Sequence, residues 1–191
     1  MPLLKPIETR RAFRAIAEAP IGEDVLEELA SAAHLAPSSA NNQPWRLVTV
    51  VDPSRLEALR STFTPGNYWA KKAPAVTAFV TSADWSLRAA GKDYAWFELG
   101  MAAMAYQLQA AADGLYAHPI AGFDAEAVKK ILGIPEAATL VVLVVLGYPG
   151  DASHLSEKHL ASERAPRARK SLGEVFAFDS WNPGLLPAPK A

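Results

Sequence analysis

Apolar and polar positions alternate along this chain in two different rhythms. Between Glu23 and Leu35 the apolar positions Val25, Leu29, Ala32 and Ala33, with Ala36 just beyond, recur at helical spacing. A first helix is expected from near Ile7 to Ala17, before Pro20 breaks the path. Leu47–Val51 and Ala75–Thr81 are apolar and β-branched, so both read as strands. Asp52-Pro53 reads as an N-cap with proline at the first helical position, opening a helix to about Phe63. Thr64–Lys72 is a turn-rich connection. Asp93–Asp113 predicts a long apolar helix stopped by Gly114, and Leu115–Ile120 a short extended segment. Ala125–Leu132 predicts a helix capped by Asp124 and ended by Gly133. Thr139–Leu146 is an uninterrupted apolar run, the pattern of a fully buried central strand. From Gly147 the chain turns polar, and it ends in the proline-rich stretch Asn182–Pro189. No internal repeat is visible.

This mixture predicts an α+β fold. The stretch Tyr94–Ala112 adds a constraint. A helix apolar on every side must be buried on every side, either as a central core helix or against a second subunit. Its Glu98, Gln107 and Gln109 argue against a membrane span.

Composition narrows the classes. The chain has 191 residues, half of them apolar and 20% charged, with a formal net charge of -1. That is globular and not disordered composition. The balanced charge argues against a nucleic-acid or polybasic membrane binder. The chain has no cysteine, which removes disulfides, thiolate catalysis and thiolate-held metal clusters. No apolar export segment precedes Glu8-Thr9-Arg10-Arg11, so a cytoplasmic location is the expectation.

Two constellations carry candidate chemistry. In Thr9-Arg10-Arg11-Ala12-Phe13-Arg14, a helix would place Arg10 and Arg14 on one face, where a pair of guanidinium groups can hold a phosphate. By itself the pair reads first as a solvated basic face. In Pro37-Ser38-Ser39-Ala40-Asn41-Asn42-Gln43-Pro44, hydroxyls and amides sit between a helix and a strand. Such a loop can recognise a heterocycle without charge, or can simply satisfy its own backbone.

Taken in order, these motifs resemble the nitroreductase family. Arg-Arg-x-x-Arg is followed by Ala-Pro-Ser-Ser-x-Asn-x-Gln-Pro-Trp at 36–45, then by His118-Pro119-Ile120-Ala121-Gly122-Phe123-Asp124. Leu132-Gly133-Ile134-Pro135, Leu146-Gly147-Tyr148-Pro149 and Arg167-Ala168-Arg169 ahead of Leu172-Gly173-Glu174-Val175 continue the match. It spans about residues 7 to 181, implying one domain over 1–181 with a proline-rich tail at 182–191.

The resemblance implies a central mixed or antiparallel sheet flanked by helices in an intertwined homodimer, with FMN at the interface. Arg10 and Arg11, with Arg167 and Arg169, would hold the FMN phosphate. Arg14 would lie beside the flavin N1 and O2 edge, where a fixed cation stabilises the reduced ring. Pro37, Ser38, Ser39 and Asn41, with Gln43 in the same motif, would reach the flavin from the other subunit. Pro119, Ile120, Ala121 and Gly122 would lie near N5, using the Ala121 and Gly122 N–H groups, with glycine permitting close backbone approach. Asn67 matches an amide that touches the pyrimidine edge.

Two departures stand out: Ala12 replaces a phosphate-donating serine, and Ala121 replaces a glutamate of some members. The implied activity is ping-pong reduction of nitroaromatics, quinones or similar small electrophilic acceptors by NADH or NADPH. The alternatives are a reductase for one unsaturated or semialdehyde substrate, and a flavin-storage protein without turnover. No protein nucleophile is implied, and His118 reads first as structural. Phe63, Tyr68 and Trp69 are expected either to line a pocket or to anchor a loop; Trp45 reads as core, and Trp96 as core or interface.

Overall fold

In the computed structural model, which describes residues 2–187, the strands in chain order are β1 (Arg46–Val50), β2 (Ala75–Thr81), β3 (Arg88–Ala89), β4 (Lys92–Asp93), β5 (Tyr116–Ile120) and β6 (Thr139–Gly147). The helices are α1 (Lys5–Thr9), α2 (Glu23–His34), α3 (Pro53–Ser61), α4 (Ala95–Ala112), α5 (Ala125–Leu132) and α6 (Glu157–Arg164). β1, β2, β6 and β5, in that spatial order, form one antiparallel sheet. β3 and β4 form a separate two-stranded ribbon, turned through Ala90 and Gly91 at positive φ. The last residues of the expected tail, 188–191, lie outside the described residues.

Alternation in β2 and β6 sends side chains to two cores, one on each face of the sheet. Val76, Ala78, Val80, Leu143 and Val145 pack with Leu56 and Leu59 of α3 and Val128 of α5. Ala75, Phe79, Val144 and Leu146 pack with Leu29 of α2 and Leu99, Ala102 and Tyr106 of α4. Because both faces are covered, every residue of β2 is buried, and continuous apolarity replaces the usual polar alternation. The register slips by one residue where Phe79 pairs Val142 and Val80 pairs Leu140. Val141 is the extra, partly exposed residue of that bulge. The polar exceptions are bonded: Thr77 Oγ1 lies 2.7 Å from the Tyr106 hydroxyl and 2.9 Å from Thr49 Oγ1, and Thr81 Oγ1 donates to Pro44 O at 2.6 Å. Burial pushes the Tyr106 hydroxyl up to about 12.

Helix starts follow the expected chemistry. Asp52 accepts Arg55 N–H, Asp124 accepts Ala127 N–H, and Gly133 ends α5 in the left-handed region at φ 66°.

The first helix is a correction. It ends at Thr9 instead of Ala17, and Arg10 is already extended at ψ 125°. Tertiary bonds replace the helical ones: Arg14 N–H donates to the Glu163 carboxylate, Ala17 N–H to Tyr148 O and Gly150 N–H to Ala15 O. α6 is an addition in a region that reads only as polar; Ser156 Oγ caps it and Pro166 follows its end.

α4 answers the burial question on one side only. Glu98, Leu99, Ala102 and Tyr106 are buried, while Trp96, Phe97, Gly100 and Met104 are exposed. Within one chain, therefore, α4 is not a central core helix, and Trp96 is not core. Trp45 is. Among the described residues no helix is long and apolar enough to cross a membrane.

Candidate functional site

The extended backbone from Arg10 to Arg14 runs beside the segment that follows α6. Together they form a cavity of about 340 Å³ lined by Arg10, Arg11, Arg14, Arg167 and Arg169, with Ala12 and Ser162 between them. No acidic residue lines it. The arginines thus meet, though not on one helix face.

They meet in different states. Arg167 donates to Ile7 O at 3.1 Å and to Arg10 O, holding the carbonyl end of α1. Arg11 donates to Ser162 O at 3.2 Å, and Arg169 to Ala168 O at 2.7 Å. The Arg10 side chain finds no acceptor among the described residues. Its acidity is raised by partial burial and then by the positive charges of Arg167 and Arg169. Four of these arginines, Arg10, Arg11, Arg167 and Arg169, have no acidic partner among the described residues, and like charges so gathered have the chemistry of a site for a multivalent anion.

Arg14 connects this cavity to the end of β5. Its guanidinium lies 3.6 Å from the Glu163 carboxylate and 5.9 Å from the Trp69 ring. Beneath them the His118 ring sits 4.4 Å from Trp69, and its Nδ1 is 3.0 Å from Phe13 O. Burial drives the His118 pKa down to about 4, with the Arg14 and His159 charges adding to it, so the ring is neutral and donates from Nδ1. It ties the arginine segment to the sheet.

Pro119 lacks an N–H, which costs little on an edge strand such as β5. Beyond the strand, the N–H groups of Ala121 and Gly122 have no acceptor among the described residues. Packing within the chain also favours glycine at 122. A Cβ there would meet Thr64 Oγ1 at 2.4 Å and Asn67 Nδ2 at 2.7 Å. Its carbonyl accepts from Thr64 N–H, the Thr64 hydroxyl and Asn67 Nδ2. Asn67 therefore spends its amide N–H on Gly122 and braces the 119–122 segment. Trp69 is 1% exposed and Phe63 is buried, so they anchor this region and line no opening. The Tyr68 hydroxyl accepts Ser156 N–H at 2.6 Å.

Pro37–Gln43 lies apart: none of its residues lines the arginine cavity. Ala40, Asn41 and Gln43 all have positive φ. Ser38 Oγ accepts Gln43 N–H at 2.9 Å, and Gln43 Nε2 donates to Asn41 O at 3.1 Å. Glu98 accepts Ser39 N–H at 2.7 Å. The Ser38 and Gln43 side chains hold the loop, and Asn41 is exposed.

The nitroreductase family model matches residues 7–81 and 52–148. This chain belongs to the nitroreductase family. A relative from Thermus thermophilus named NADH dehydrogenase is 31% identical over 182 residues, covering 78% of this chain and 87% of its own. A relative from Archaeoglobus fulgidus, provisionally named an NADH dehydrogenase/NAD(P)H nitroreductase, is 31% identical over 158 residues, covering 81% and 89%. A solved oxidoreductase containing FMN superposes with a TM-score of 0.84 at 25% identity, covering 95% of this chain and 94% of that one.

The nitroreductase match stops at residue 148, before α6, Glu163, Arg167 and Arg169. Three residues that hold these segments in place are not named as site residues by the sequence: Glu163, Glu98 and Thr64. Glu163 and Thr64 sit in segments that read only as polar or turn-rich, and nothing local marks them. Glu98 carries a signal, an acid inside an apolar helix, which predicts a buried partner.

Proposed function

We propose that this nitroreductase-family protein is an NAD(P)H-dependent FMN oxidoreductase for nitroaromatics, quinones or similar electrophilic acceptors. The observation that carries the reading is the cavity in which Arg10, Arg11, Arg167 and Arg169 meet without an acidic partner among the described residues. It fits a phosphate dianion, and Arg10 is the guanidinium left for it. When bound, FMN would supply the redox chemistry that links NADH or NADPH to the acceptor.

The chain's own groups bind and orient. Arg10, Arg11 and Arg169 would take the phosphate, with Arg167 adding charge while it holds α1. Arg14, oriented by Glu163, would present a fixed cation at the pyrimidine edge of the ring. The unspent N–H groups of Ala121 and Gly122, braced by Thr64 and Asn67, are donors for the ring near N5. Pro37, Ser38, Ser39, Asn41 and Gln43 would come from a second copy, since in one chain they do not reach the arginine cavity.

Two surfaces support the homodimer. The exposed face of α4 runs to Met104 and Leu108, which line a cavity with Arg10, Arg167 and Arg169. After α6, Leu172, Val175, Phe176, Phe178 and Trp181 are all exposed.

Flavin released by heat should chromatograph as FMN, and NADH or NADPH should bleach the holoprotein until an acceptor restores its colour. FAD at stoichiometry would overturn the cofactor, and flavin that neither nicotinamide reduces would indicate storage. For the shared site, Arg10→Ala and Asn41→Ala subunits refolded together should recover activity that neither has alone. No rescue in demonstrated mixed dimers would overturn the sharing.

A further inference from the structure

Glu98 is an acid that the proposed chemistry does not use. It lies on α4, is 3% exposed, and forms no ion pair among the described residues. A buried carboxylate without a cation is costly unless its oxygens accept hydrogen bonds. Here the two oxygens are divided. Oε1 accepts Ser39 N–H at 2.7 Å, and Oε2 accepts the Ser86 hydroxyl.

Each partner belongs to a segment outside the four-stranded sheet and the α-helices. Ser39 opens the turn whose next residues, Ala40 and Asn41, have φ of 47° and 56°. Left-handed residues other than glycine are strained, asparagine less so, and persist where their surroundings over-determine them. Ser38 and Gln43 tie the loop to itself, and Arg46 and Thr81 hold its far end through Gln43 O and Pro44 O. The front of the loop is tied to the body by Glu98. Ser86 follows the turn Ala83–Trp85 and leads into the β3–β4 ribbon.

We propose that Glu98 is a positioning residue, a two-point clamp that holds the front of the Pro37–Gln43 loop in its left-handed form and joins it to the ribbon through Ser86. It acts through Ser39 and does not itself meet a ligand. The consequence for FMN rests on the reading of Pro37–Gln43 as a flavin loop; the clamp itself does not.

The test pairs two measurements on Glu98→Ala, Glu98→Gln and Ser86→Ala: amide exchange in the flavin-free protein, and the FMN dissociation constant. Glu98→Ala should speed exchange at residues 39–43 while β2 and β6 stay protected, and should weaken FMN by about 10-fold or more, the loss of one charged hydrogen bond. Glu98→Gln retains an acceptor for Ser39 and gains a donor for Ser86, so it should bind FMN as the unaltered protein does. Ser86→Ala should have a smaller effect than Glu98→Ala.

Unchanged exchange and affinity in Glu98→Ala overturn the clamp. So does exchange raised equally in β2 and β6, which would mark general core support. If Glu98→Ala does not fold, Glu98→Asp is one methylene too short to span both partners; unchanged exchange and FMN affinity there overturn the proposal. If the unaltered protein binds no FMN, the flavin reading fails separately, and the flavin-free exchange still decides the clamp.

Discussion

The arginine cavity and the Pro37–Gln43 loop are the two halves of the candidate site, and they are built in opposite ways. The cavity gathers like charges that repel, and leaves Arg10 without an acceptor among the described residues. The loop carries no charge, and its Ser38 and Gln43 side chains satisfy its own backbone. The first region stores its cost as electrostatic repulsion, which a bound anion relieves. The second stores it as backbone strain, which tertiary bonds hold in place. A site completed by a ligand should therefore respond to charge, and a preorganised loop to geometry.

The strongest way to break the comparison is to unseat the arginine segment without touching an arginine. A Cβ on Gly150 would stand 2.4 Å from Ala17 N and 2.6 Å from Ile16 C, both backbone atoms. Gly150→Ala should cost about 3 kcal/mol, the upper end for overpacking, and abolish FMN binding. Denaturant titration and flavin binding read the two effects. Full FMN affinity would show that the cavity does not depend on this seat.

Acid tests the same anchor by another route. The His118 pKa falls from 6.5 to about 4 on folding. Above pH 6.5 the ring is neutral folded or unfolded, and its contribution is flat. As pH falls below that, the unfolded chain takes up the proton first, so stability is lost down to the folded value. At pH ~4.5 the loss is about 2.5 kcal/mol. Chemical denaturation at pH ~7 and ~4.5 should show this slope reduced in His118→Gln. An equal slope in both proteins would mean that His118 is not buried neutral.

Charge itself is next. Arg10→Ala and Arg169→Ala should each weaken FMN by about 2 kcal/mol, as for a lost charged hydrogen bond. The double variant should lose less than the sum, because both act on one phosphate. An unchanged dissociation constant in Arg10→Ala would leave the cavity without its ligand.

The smallest effect sharpens the loop side. Ala40 has φ 47° and ψ 25°, a conformation that glycine adopts without strain. Ala40→Gly should raise stability by about 0.5 kcal/mol, the relieved strain less the added chain entropy. The thermal midpoint should rise slightly; a fall would mean that the loop holds no strain at this position.

What could be read from the residues follows the range of the interactions. β2, β6, α2 and α5 were legible because burial on one or two faces, an N-cap and a left-handed glycine leave marks within a few residues. Arg10, Arg11, Arg14, Arg167 and Arg169 could be named as one group from the order of motifs, but not placed. The helix expected to carry Arg10 and Arg14 stops at Thr9, because Glu163, Tyr148 and Gly150 offer the next residues bonds that no local pattern announces. Gly122 could be seen as special, but its packing against Thr64 and Asn67 could not. Sequence by itself determined the periodicities, the caps, the glycine positions and the set of charges. Tertiary structure alone decided which backbone leaves its helix, which arginine keeps a free guanidinium, and which buried acid clamps a loop. Those outcomes depend on groups more than a hundred residues apart for Arg14 and Glu163, and about sixty apart for Ser39 and Glu98, and no local pattern encodes such a meeting.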